Sequence, residues 1–170
     1  MRGAVDSLVL GCLVDLFAAY EVAVAPLPRI ARERAPIVPD VSAVVGFTRQ
    51  QSGHQPGRMT LSLPSLVLSL MKSGTDNALK GDWARELANQ LMGRVKNRLL
   101  QFGEQLKMGI SSGIDAEAVV RQLQLPSTRV YSGRTLRGEI LVTVDGMPND
   151  AELSYVDPVK VAAEGDLVLF

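Results

Sequence analysis

Glu86 and Asn89 stand three positions apart in a stretch, residues 82–102, whose apolar residues recur at helical spacing. An acid and an amide therefore share one side of a helix, a turn apart. At about 100° per residue, Ala84, Leu87, Ala88, Leu91, Met92, Val95, Leu99 and Phe102 form one face and supply a core. The opposite face collects Glu86, Asn89, Gly93 and Asn97, with Lys96 and Leu100 at its edges. A solvated helix face accounts for most such stripes, but two residues fit it poorly. Glycine inside a helix costs roughly 1 kcal/mol relative to alanine, and no packing within the chain obviously needs a small residue at Gly93. Close approach of another backbone gives that glycine a purpose. Asn89 is a modest helix former standing one turn from the acid. The stripe offers a carboxylate and a carboxamide beside a flat spot, which is equipment for meeting a second molecule.

Other chemistries find little support. The single histidine, His54, and the single cysteine, Cys12, cannot close a zinc site, which almost always takes four ligands. His54 falls on a loop tip in Gly53-His54-Gln55-Pro56-Gly57, a bystander rather than a general base, and Cys12 falls on an apolar helix face as a small core residue. Ser111-Ser112-Gly113 reads as a tight turn, not a phosphate loop, because no Gly-Lys-Ser or Gly-Lys-Thr follows. Eighteen Lys plus Arg balance eighteen Asp plus Glu. A nucleic-acid binder or polybasic membrane reader needs positive excess, so neither partner is expected. The basic spot at Arg134 and Arg137 reads as a solvated strand edge or turn. The apolar-leaning segment 7–26 is interrupted by Asp15 and Glu21, too polar for a membrane span. Arg2 followed at once by Asp6 does not make a signal peptide. One lone cysteine suits a reducing compartment, and the cytoplasm is the expected location.

The positioning elements follow from period and punctuation. Length predicts one domain over residues 1–170. Residues 4–24 make an amphipathic first helix stopped by Pro26 and Pro28. The run 41–47 and the alternating run 58–63 make a hairpin around a loop at 48–57. Pro64 and residues 65–72 make a short helix, and 73–81 a polar loop. After the long helix, ended by Gly103, Leu106, Met108 and Ile110 alternate as a third strand. Asp115 caps a short helix over 116–123. Strand candidates follow at 128–132, 138–144, and 159–162 or 167–170. The expected class is α+β, a mainly antiparallel sheet covered by two long helices.

Glu86-Leu87-Ala88-Asn89, followed by Gln90-Leu91-Met92-Gly93 and Lys96, resembles the Glu-x-x-Asn signature helix of the CheX/CheC/FliY chemotaxis phosphatases, CheX most of all. The resemblance extends over residues 6–144: an N-terminal amphipathic helix, the Val-Val-Gly-Phe strand and the strand around Met59-Thr60-Leu61-Ser62 precede the signature, and Leu106-Lys107-Met108-Gly109-Ile110 follows it. It implies a CheC/CheX-like fold and a phosphatase acting on the aspartyl phosphate of a CheY-like response regulator. Asn89 would orient the attacking water, since a carboxamide offers an acceptor and donors. Glu86 would dock on the regulator's lysine, and Gly93, with Lys96 and Asn97, would meet the partner closely. No cofactor of the chain's own is implied, because the regulator carries its Mg²⁺.

The resemblance further implies a homodimer joined through edge strands. Two departures stand out: Arg85 occupies the position before Glu86, where the family often has an acidic residue or Ser, and the first helix carries no second Glu-x-x-Asn. The same fold serves in the middle domain of the flagellar switch protein FliM, so a non-catalytic docking or assembly module is the alternative expectation.

Overall fold

Segments that alternate apolar and polar residues pair into one sheet, and segments with helical spacing cover it. The computed structural model describes residues 3–27, 37–71 and 77–154. Strands β1 (Ala25–Pro26), β2 (Val41–Arg49), β3 (Gln55–Leu63), β4 (Leu106–Gly113), β5 (Arg129–Thr135) and β6 (Gly138–Asp145) form a six-stranded sheet in the order β1-β5-β6-β3-β2-β4. Each neighbouring pair is antiparallel. The helices are α1 (Ala4–Ala18), α2 (Ser65–Met71), α3 (Asn77–Leu99) and α4 (Ala116–Leu123). The α+β class, with an antiparallel sheet beneath two long helices, is as the sequence predicts.

Alternate sheet residues build the core. Ala43, Val45 and Phe47 of β2, Met59, Leu61 and Leu63 of β3, and Ile140, Val142 and Val144 of β6 meet α1 and α3 in one buried cluster. From α1 come Val5, Val9, Leu13, Leu16 and Phe17; from α3 come Leu87, Leu91, Met92 and Val95. Burying each large aliphatic side chain is worth on the order of 1.5–3 kcal/mol, so this apolar face fixes how α3 lies and which side it turns outward. On the second sheet face, α4 sets Gln122 against β3 and β6. Thr60 and Thr143 both donate to Gln122 Oε1 at 2.9 Å, which satisfies the polar groups buried there. Asp115 caps α4 by accepting from Ala118 N at 2.7 Å, as its position before the helix predicts.

Four boundaries differ from expectation, each for a local reason. α1 stops at Ala18 instead of running to 24. Val22 N donates to Phe17 O and Glu21 N to Ala18 O, with Glu21 at φ 61°, a Schellman turn that frees Val22 and Val24 to enter the core as extended chain. A glutamate has no business at that dihedral, so Glu21→Gly should stabilise the fold by about 0.5–1 kcal/mol once the extra freedom of the unfolded glycine is subtracted. Urea unfolding measures it; unchanged stability would contradict the strain. Next, the hairpin strands run on to pair Arg49 with Gln55, leaving a tighter turn with His54 exposed at its tip. α3 starts at Asn77, so the expected loop at 73–81 ends earlier and Gly81 lies inside the helix.

The fourth difference concerns β4. Residues 111–113 continue the strand instead of turning, and Ile110 does not share a face with Leu106 and Met108. Pairing with β2 shifts between Val45↔Ser111 and Phe47↔Met108, so Gly109 and Ile110 together oppose Gly46. This is a β-bulge, and it reverses the alternation beyond it. The expected strands at 128–132 and 138–144 form as β5 and β6, the first running on to Thr135, and β6 lies inside the sheet between β5 and β3. The candidates at 159–162 and 167–170 lie outside the described residues. Among the described residues, no helix is long and apolar enough to cross a membrane.

Candidate functional site on helix α3

The apolar wheel of α3 is realised in the packing. Ala84, Leu87, Ala88, Leu91, Met92, Val95 and Leu99 are fully buried, and Phe102 packs partly against them in the 3₁₀ turn that ends at Gly103 in the left-handed region. Burial of that face turns Glu86 and Asn97 out to solvent, with Asn89, Gly93 and Lys96 half-buried beside them. The structure thus brings the five sequence-predicted residues onto one outward side of one helix. A Cβ built at Gly93 would meet nothing within 4 Å among the described residues, so no contact with them requires the glycine. Gly81 is equally open, but it lies about 140° around the helix from Glu86 at helical spacing. Arg85, the departure from the family pattern, is paired with Asp82 in an exposed ion pair on its own helix.

Three residues outside the expected set hold the two polar side chains. Gln90 Nε2 donates to Glu86 Oε1 at 2.9 Å, the helical neighbour spacing of four. Tyr20 OH donates in turn to Gln90 Oε1, also at 2.9 Å, and the Tyr20 ring meets Trp83 edge-on at 5.5 Å between centroids. The turn after α1 therefore braces the amide that braces the acid. Asn89 Nδ2 donates to Ser111 Oγ on β4 at 2.9 Å. The i+4 spacing was a readable signal for Gln90. Glycines at 46 and 109 were the only hint of the bulge that brings Ser111 round, and nothing local marks Tyr20, which sits on the far side of the core sequence.

Chemically, the stripe offers a carboxylate acceptor and a carboxamide capable of both roles. The chain's ordinary nucleophile is out of reach: Cys12 is fully buried, and burial pushes its thiol up to about 11. Among the described residues, no three His, Cys, Asp or Glu side chains gather as a cation cage.

No protein-family model and no curated protein sequence matches the chain. Solved structures do. A CheC-like superfamily protein from Shewanella sp. PV-4 superposes with a TM-score of 0.68 at 14% identity, over 85% of this chain and 97% of that one. The chemotaxis protein CheX of Borrelia burgdorferi, solved in complex with CheY, BeF₃ and Mg²⁺, gives 0.63 at 12% identity, over 85% and 98%. The FliM middle domain from H. pylori gives 0.51 at 10% identity, over 82% and 84%. These likenesses establish a CheC/CheX-like fold.

Proposed function

We propose that the chain is an aspartyl-phosphate phosphatase for a CheY-like response regulator, working in the cytoplasm of a chemotaxis or motility system. The observation that carries this reading is the Glu86–Asn89–Gly93 stripe, accessible on α3 in a fold also seen in a CheX solved with CheY. An acyl phosphate is already reactive, so its hydrolysis needs a water held in line with phosphorus more than a protein nucleophile. Asn89 holds that water. As the water oxygen bonds to phosphorus, the bond from phosphorus to the regulator's aspartyl oxygen breaks. Inorganic phosphate leaves with the water's two protons, one of them exchanging with solvent, and the aspartate carboxylate is restored. The regulator supplies the Mg²⁺. Glu86 pairs with the regulator's active-site lysine and sets the docking register, Gly93 lets the two surfaces close, and Lys96 and Asn97 extend the contact along the helix.

The likeness to the FliM middle domain supports a second reading, a docking or assembly module without catalysis. The two separate in one assay. A cognate regulator is charged with phosphate, and phosphate release is followed as the protein is added. Acceleration over the regulator's own hydrolysis supports the phosphatase; an unchanged or lengthened lifetime supports the module. A homodimer formed through an exposed sheet edge belongs to the same proposal, and light scattering of the free protein tests it.

Glu86→Ala should weaken regulator docking roughly fivefold, the scale of a solvent-exposed ion pair, with the difference shrinking at high salt. Titration of the regulator at two ionic strengths measures this. Equal affinity for both proteins at low salt would remove Glu86 from the interface.

A further inference from the structure

Strict alternation along β4 would put Ile110 beneath α3, after Leu106 and Met108, and leave Ser111 in water. The bulge does the opposite. Gly109 and Ile110 share one position opposite Gly46, Ile110 is 94% exposed, and Ser111 turns under the helix to meet Asn89. Gly109 eases this close pairing, because a Cβ there would stand 3.2 Å from Gly46 O. The strand thus leaves a large apolar side chain in solvent and sets a hydroxyl below the one amide of the stripe that is half-buried.

We infer that Ser111 is a positioning residue for Asn89, an inference that rests on the phosphatase reading. Ser111 Oγ accepts one Nδ2 hydrogen of Asn89, at 2.9 Å, and so holds the plane of the carboxamide, which in this structure turns Nδ2 toward β4. With Nδ2 committed to the protein, Oδ1 is the atom offered outward, an acceptor for a hydrogen of the attacking water. In the flipped amide, Ser111 would donate to Oδ1 and the outward atom would be a donor, turning the water's lone pairs toward Asn89 instead of toward phosphorus. Without the hydroxyl, Asn89 regains its side-chain freedom, and only a fraction of its rotamers present Oδ1 correctly.

Two measurements test this. Ser111→Ala should lower kcat about five- to tenfold with KM for the phosphorylated regulator unchanged, and Ser111→Thr, which keeps the acceptor, should restore it. Added to Asn89→Ala, the Ser111→Ala change should cost nothing more, because both act through one group. Independently of any partner, the side-chain amide of Asn89 in ¹⁵N spectra of the free protein should show one protected proton. That protection should vanish in Ser111→Ala and persist in Ser111→Thr. An active wild type whose kcat survives Ser111→Ala within twofold overturns the inference, and so does an Asn89 amide indifferent to the substitution. A wild type that never accelerates phosphate release overturns the phosphatase reading instead, while the amide resonance alone then decides whether Ser111 holds Asn89.

Discussion

Asn89→Ala should lower the rate of regulator dephosphorylation on the order of 10²-fold, the usual cost of deleting one polar group that acts on the transition state. The fold should survive with little change. The substitution loses the hydrogen bond to Ser111, worth about 1 kcal/mol net. It gains several tenths of a kcal/mol because alanine is the better helix former. Stability should therefore move by less than about 1 kcal/mol, and affinity for the regulator should remain close to that of the wild type, since docking rests on Glu86 and on the closeness that Gly93 allows. Single-turnover phosphate release together with a binding titration separates the two effects. A variant that binds as before but hydrolyses slowly is the expected result. A variant as fast as wild type would take the water-orienting role away from Asn89.

Gly93→Leu should move stability and function in opposite directions. The position is interior to α3 and open, with none of the described residues within 4 Å of an added Cβ, so leucine gains nearly the full helix-propensity difference, about 0.8 kcal/mol. The same side chain would stand between α3 and an approaching regulator. Forcing extra methylenes into a close contact costs about 1–3 kcal/mol, which corresponds to roughly 5- to 150-fold in affinity. Denaturant unfolding and regulator binding, measured on one preparation, give both numbers. A protein that is more stable yet binds poorly supports a surface kept flat for a partner. Gain in stability with undiminished binding would show that the regulator does not come near Gly93.

The legible and illegible parts of this molecule divide by how local their causes are. The buried face of α3 could be read because an amphipathic helix has only one way to hide Leu87, Leu91, Met92 and Val95, and that same rotation turns Glu86 and Asn97 outward. The cap at Asp115 and the stop at Gly103 were equally visible, since each depends on a residue's own side chain or dihedral. The end of α1 was not. A glutamate in the left-handed region contradicts its own preference, and the turn forms because Val22 and Val24 gain burial beyond it. Ser111 was misread for a related reason. Its orientation depends on a register shift between β2 and β4, a property of two strands together, so the alternation within β4 alone pointed to Ile110. Tyr20, which falls inside the first helix expected over residues 4–24, instead follows its end and reaches across to Gln90 through its hydroxyl.

The most direct measurement is a crystal structure of this chain with a CheY-like regulator carrying beryllofluoride and Mg²⁺ in place of its acyl phosphate. In that complex α3 should lie across the regulator's phosphorylation site, with Glu86 on its lysine and Asn89 Oδ1 within hydrogen-bond reach of a water in line with the beryllofluoride. A regulator seated on another face, with the Glu86–Asn97 side of α3 left open to solvent, would contradict it.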